Sequence, residues 1–266
     1  MRTLQSMFAA VICLLLSVAC SSQGNYSSFF GGDNTIKASK NYVNKEIFVA
    51  DFTNLNVKGS PDVTFTQQAG KPKVSIYTSD NIIDLLDIYV DKKTLHIGFK
   101  KNVSVNYHKL IIQVSSPALN HISVTGSGAV KVAGQLNTEQ LALRVSGSGD
   151  IFGKNITCTQ CQATVTGSGD ISLENLEATT TQAEITGSGD ISLKGKTQEA
   201  SYKITGSGDL TASDLKAETV SASITGSGDI KCHASTHLKT RISGSGDIGY
   251  KGNPQIDNGK KGIYKL

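Results

Sequence analysis

Between residues 118 and 249 apolar and polar residues alternate in short runs, and every run closes on the same triplet. Gly-Ser-Gly begins at Gly126, Gly147, Gly167, Gly187, Gly206, Gly226 and Gly244, at successive offsets of 21, 20, 20, 19, 20 and 18 residues. A β-branched and a hydroxyl residue precede the triplet, as in Ile185-Thr186, and Asp with an aliphatic residue follows it, as in Asp190-Ile191. Recurrence at a fixed period of this size is the signature of a repeat architecture. Side chains of a strand alternate between its two faces. Ala183, Ile185, Ile191 and Leu193 therefore share an inward row with both glycines of their triplet, while Thr186, Ser188, Asp190 and Ser192 face water. The inner glycines are expected to let the backbone bend or approach a facing wall.

One unit of about 20 residues cannot bury its apolar face alone, but units stacked on one another share a continuous core. The fold predicted is all-β, a right-handed parallel β-helix, the hand following that of parallel crossovers. The second strand of a rung is expected to contain Leu176, Leu215 or Leu238, with Ala178 and Ala217 beside it. In this register Cys158 matches Ala178, and Cys232 matches Leu173 and Leu193, so both read as core filling.

Upstream the pattern weakens. Asn56-Val57-Lys58-Gly59-Ser60-Pro61-Asp62-Val63 reads as a degenerate copy where the β-helix begins, with proline in place of the second glycine. Alternation predicts strands at Lys73-Val74-Ser75-Ile76-Tyr77, Thr94-Leu95-His96-Ile97-Gly98-Phe99 and Leu110-Ile111-Ile112-Gln113-Val114. Residues 80–87 are expected to hold one or two helical turns, N-capped by Asp80. An open stack needs covered ends. Within a β-helix domain of residues 45–266, residues 45–117 are therefore assigned as irregular capping rungs, 118–249 as the regular array, and 250–266 as a C-terminal cap.

The first residues change the picture from fold to compartment. Arg2 and the apolar run of residues 7–18 are too short for a membrane span and read as a signal peptide over residues 1–19. Leu16-Ser17-Val18-Ala19-Cys20 resembles a bacterial lipobox, which makes Cys20 the expected lipidation site. Residues 20–44 then form a lipidated N-terminus and flexible tether. The expected location is the bacterial cell envelope, lipid-anchored, with Ser21 after Cys20 fitting outer-membrane sorting. With 27 Gly, 4 Pro and no Trp the composition suits short strands and tight turns, and a net charge of +4 spread along the chain does not suggest a nucleic-acid partner. Cys158 and Cys161 have redox-motif spacing but lack the βαβ context, so small buried side chains, bridged or free, are expected.

The face assignment stacks Asp150, Asp170, Asp190, Asp209, Asp229 and Asp247 into one column, with Ser148, Ser168, Ser188, Ser207 and Ser227 beside it. Carboxylates about 4.8 Å apart in water repel by roughly 1 kcal/mol per pair. Backbone N–H groups of each carboxylate's own turn are one remedy. Ca²⁺ between rungs is another, weakened by the shortage of oxygen ligands, so no cofactor is required. The polar strip so formed is the candidate binding face for a glycan or protein. His233 and His237, four apart in a β-rung, share no helical face and are not expected to bind a metal.

The segments DFTNLNVKGSPDVTFTQ and TLHIGF, the TGSGDI units and the closing GDIGYKGNP together resemble the family named putative auto-transporter adhesin, head GIN domain, found mainly in envelope lipoproteins of Bacteroidetes. The resemblance covers residues 51–266 and departs from the family at Asn258-Gly259-Lys260-Lys261-Gly262, where many relatives carry another triplet. It implies a right-handed β-helix and, by its name, adhesion. The expected function is an adhesin-like, non-catalytic envelope lipoprotein. The rivals are a polysaccharide-active enzyme, which needs convergent acids rather than a periodic line, and a passive structural or envelope-stress component.

Overall fold

The computed structural model describes residues 35–257 and 261–266. It is a parallel β-helix in which each rung contributes one strand to each of two long stacks. The first stack runs Asn54–Gly59, His121–Gly126, Gln140–Gly147, Gln160–Gly167, Thr180–Gly187 and Glu199–Gly206, and continues through the C-terminal halves of Leu210–Gly226 and Ile230–Gly244 to Gln255–Asp257. The second runs Val63–Gln67, Ala129–Asn137, Asp150–Thr157, Ile171–Glu177 and Ile191–Lys196, then the N-terminal halves of the same two long strands, then Ile248–Lys251 and Ile263–Lys265. All these pairings are parallel, and the glycine that opens each triplet pairs with the glycine that opens the next. Among the described residues no helix is long and apolar enough to cross a membrane.

Alternation translates directly into packing. Val124, Val145, Val165, Ile185, Ile204 and Ile224 lie in register on the first stack, and all are fully buried. Ile151, Ile171, Ile191, Leu210, Ile230 and Ile248 form the matching row on the second. Burying one such side chain contributes about 2 kcal/mol, and the vertical continuity lets every rung bury the apolar surface of its neighbours.

A neighbouring inner row varies in size: Ala163, Ala183, Tyr202, Ala222 and Thr240 follow one another. The Tyr202 ring is 1% exposed between alanines that leave it room. Its hydroxyl has no hydrogen-bond partner, and burial, with a smaller contribution from nearby Cys232 and Cys161, pushes its pKa up. A buried hydroxyl without a partner costs stability. Tyr202→Phe is therefore expected to gain about 1 kcal/mol and to raise the melting temperature by about 2–4 °C. A fall in melting temperature in calorimetry would mean that the hydroxyl is bonded.

The N-terminal end departs from chain order. The degenerate copy is a rung, with Gly59 in register with Gly126. It is not the outermost one. Thr94–Phe99 and Leu110–Ser116, later in sequence, stack beneath it, so the chain runs past its own rung before returning at His121. Antiparallel strands end the ladder there: Leu86–Asp91 on Thr94–Phe99, Lys73–Ser79 on Leu110–Ser116, and Tyr42–Phe48 on Lys73–Ser79. The helix Asp80–Ile83 is a single turn that buries Ile82 and Ile83. Its N-cap is Ser79 and not Asp80. The Asp80 carboxylate instead accepts hydrogen bonds from Ser39 Oγ and Asn41 Nδ2 at 2.5 and 2.8 Å, which hold its pKa below the usual carboxylate range.

Three more expectations are corrected. The tether ends earlier than residue 44, because Ile36–Lys37 pairs with Val105–Asn106 and Tyr42–Phe48 is already in the sheet. Leu238 lies on the first stack opposite Val220, not with Leu176 and Leu215 on the second. The short final offset of 18 residues slides that part of the chain against a fixed count. Finally, in the segment assigned as a cap, Gln255–Asp257 and Ile263–Lys265 each continue a parallel stack as strands of a last short rung.

Candidate functional site

The repeated triplet is a corner between the two stacks. At Gly187 the backbone has φ +130°, a conformation that side chains rarely adopt, and a Cβ there would lie 2.3 Å from the Gly167 carbonyl oxygen. That oxygen accepts the N–H groups of Ser188 and Gly189 at 2.9 and 3.1 Å. Gly189 faces inward, where a Cβ would meet the Gly169 oxygen at 2.1 Å and Val165 Cγ1 at 2.9 Å. The backbone each triplet approaches is thus that of the preceding rung, not a facing wall, and the first glycine is only half-buried.

The aspartate column forms as the register predicts, but the amide each carboxylate engages belongs to the next rung rather than to its own turn. Asp150 Oδ1 accepts the N–H of Asp170, and the pattern repeats from Asp170 to Asp190, Asp190 to Asp209, Asp209 to Asp229, and Asp229 to Asp247, at 2.8 to 3.1 Å. Asp62 of the degenerate rung does the same for Ala129. Ala129 has no carboxylate to offer, and the Asp150 N–H turns to the Gly128 carbonyl at 3.1 Å. Asp209→Ala is accordingly expected to cost about 1 kcal/mol, softened by that same rearrangement. Asp209→Asn keeps an acceptor and is expected to cost less than about 0.5 kcal/mol; equal losses in urea titrations would show that charge, not the hydrogen bond, is what matters.

Among the described residues no group of three or more His, Cys, Asp or Glu side chains comes together as metal ligands would. A cation between rungs would compete with the amides for Oδ1, and a melting temperature that rises with Ca²⁺ and falls with chelator is the signature it would leave. Ser148, Ser168, Ser188, Ser207 and Ser227 are exposed beside the column. His233 and His237 sit on different stacks, against Lys216 and Thr219 respectively. Cys20 lies outside the described residues. Cys158, Cys161 and Cys232 are free and buried. The Cys161 thiol lies against that of Cys158; their hydrogen bond lowers the pKa of Cys158 and, with burial, raises that of Cys161. Burial alone pushes Cys232 up to about 12.

A groove of about 630 Å³ lies elsewhere, at the start of the first-stack strands, extending from Asn120 to Asp257. Two outward columns line it. The first contains Gln140, Gln160, Thr180, Glu199, Thr219 and His237; the second contains Ala142, Gln162, Gln182, Ser201, Ser221 and Lys239. The groove crosses eight successive rungs, and seven steps of about 4.8 Å give it a length of about 34 Å. Its two carboxylates, Glu199 and Asp257, are three rungs or roughly 14 Å apart. None of the aspartates and serines expected to form the binding face lines it. The signal for the groove was present in the sequence, as amide and hydroxyl residues seven and five positions before the triplets at Gly167, Gly187 and Gly226. It was indistinguishable there from an ordinary solvated face.

Residues 51–254 match the profile of the family described as "Putative auto-transporter adhesin, head GIN domain". Three solved structures are similar over nearly their whole length. A putative adhesin from Parabacteroides distasonis shares 28% identity with a TM-score of 0.83, covering 87% of this chain and 100% of that one. A putative adhesin from Parabacteroides merdae shares 25% with a TM-score of 0.83, covering 88% and 99%. A structure from Parabacteroides distasonis described as a putative lipid binding protein shares 26% with a TM-score of 0.82, covering 87% and 99%. No curated protein matches the chain.

Proposed function

The chain belongs to the auto-transporter adhesin, head GIN domain family, and from that premise we propose that it is a non-catalytic, adhesin-like lipoprotein of the bacterial envelope that holds an elongated partner in the groove along its first stack. The observation that carries this reading is the continuity of the groove over eight rungs with a polar side chain at nearly every outward position. Repeated weak contacts along such a surface accumulate into useful affinity. The separation of Glu199 and Asp257 supports a non-catalytic role, since paired carboxylates of glycoside hydrolysis stand about 5–9.5 Å apart. Anchoring through Cys20 rests on the lipobox-like Leu16-Ser17-Val18-Ala19-Cys20, and placement in the outer membrane on Ser21 directly after it.

Immobilised protein challenged with solubilised envelope material tests the reading. Gln182→Trp fills the groove from an exposed position and is expected to abolish capture, whereas Ser188→Trp on the corner is expected to leave it intact. Capture that is indifferent to Gln182→Trp would remove the groove from the function. Loss of membrane association in Cys20→Ala tests the anchor.

A further inference from the structure

We infer that the occupant of the groove is an uncharged, unbranched glycan chain lying across the rungs, about one sugar residue per rung; this rests on the groove being the binding site proposed above. The argument begins with what the groove offers. Gln140, Gln160, Gln162 and Gln182 present amides that donate and accept at once, and Thr and Ser hydroxyls do the same. A sugar hydroxyl is also both donor and acceptor, so a polyhydroxyl chain can satisfy each of these groups without bringing a charge. The groups recur at the rung step of about 4.8 Å, close to the length of a single sugar ring in an extended chain.

Other occupants fit less well. An anionic polymer needs a basic surface, but the charged side chains here are mixed in sign: Glu199 and Asp257 against Lys239, with His237 between them in the stack. A lipid needs an apolar lining, and in the two outward columns the only apolar side chain is Ala142; the larger apolar residues at the groove, such as Leu141 and Val220, are buried inward. An extended peptide docks by adding to a sheet edge. Every strand crossing the middle of this groove already has a parallel neighbour on each side, so no main-chain edge is open to it. The only ring in the two columns is the His237 imidazole near one end, so most positions are individually weak and length is decisive.

The test is a length series of neutral linear oligosaccharides, β-1,4-linked glucose, mannose and xylose and α-1,4-linked glucose, titrated into the full-length protein. For one series the affinity is expected to climb with each added unit, level off at about seven to eight units, and stay unchanged between low and high salt. Gln160→Ala, Gln162→Ala and Gln182→Ala combined, all at exposed positions, should weaken binding at least about tenfold with an unchanged melting temperature. Ser188→Ala with Ser207→Ala should leave it unaltered. Several results would overturn the inference while leaving the groove as the functional site: salt-sensitive binding of heparin, or binding of phosphatidylglycerol vesicles, that the glutamine variants abolish; or no binding of any neutral series while Gln182→Trp still blocks envelope capture. Glycan binding indifferent to the glutamine variants would overturn the placement. Failure of both glycan binding and groove-dependent capture would overturn the proposed function itself.

Discussion

Gly187→Ala, like the same change at the other triplet-opening glycines, is expected to be strongly damaging for a single added methyl group, lowering the melting temperature by about 10 °C. Two effects add. The left-handed backbone at φ +130° strains any residue with a Cβ by about 1–3 kcal/mol. The new methyl also falls 2.3 Å from the Gly167 oxygen, and relieving that clash pulls apart a carbonyl that accepts two amides from this rung. The two hydrogen bonds at stake are worth about 1 kcal/mol each. The total of about 3–5 kcal/mol converts at about 2–4 °C per kcal/mol for a domain of this size. Gly70→Ala is the control, because Gly70 has φ +114° but nothing within 4 Å of the added carbon. It should show the backbone cost alone. Denaturation curves in which the two variants lose the same stability would mean that the close approach between rungs is not tight.

The second large effect concerns register. From Gln160 to Gly167, Thr180 to Gly187 and Glu199 to Gly206 the pairing between rungs is unbroken. On the second stack it slips between Leu173 and Leu176 and between Ser192 and Lys194, and again beyond Thr211. The unequal offsets between triplets are therefore absorbed in part on that side. One alanine inserted between Tyr202 and Lys203 turns either Tyr202 or Ile204 and its corner to the wrong face. At about 2 kcal/mol for each apolar side chain so exposed, together with the broken corner, the native state should be lost. The same alanine inserted between Lys194 and Gly195 enters an existing irregularity and should cost no more than about 1 kcal/mol. Circular dichroism and urea titration of the two insertions distinguish them, and equal tolerance would contradict the pairing described.

The parts of this molecule that were legible in the sequence are those set by parity and period. Ile185 and Asp190 point to opposite sides because a strand has two faces, and Asp170 lies under Asp190 because the units between them match in length. What period alone does not encode was missed. The rung at Asn54–Gly59 sits above strands that come later in the chain, a choice made by long-range packing that no local pattern marks. A fixed count puts Leu238 on the second stack, because it does not register that only 18 residues separate Gly226 from Gly244. Parity does not fix the partner of each carboxylate, since Asp209 can reach an amide of its own turn or, as it does, that of Asp229 on the next rung. The groove was invisible because Gln162 or Ser201 is ordinary for a strand facing water; only the concavity of the assembled stack sets these positions apart.

The claim under all of this is that equivalent positions of successive units lie directly above one another, and inter-label distances read it most directly. In a cysteine-free background, nitroxide labels on the pairs Ala142→Cys with Ser201→Cys, Ser221→Cys or Lys239→Cys should give mean separations near 14, 19 and 24 Å, increasing by about 4.8 Å for each rung added. Separations that fail to grow with rung number, or that cluster at a single value, would contradict the stacked column and the groove built on it.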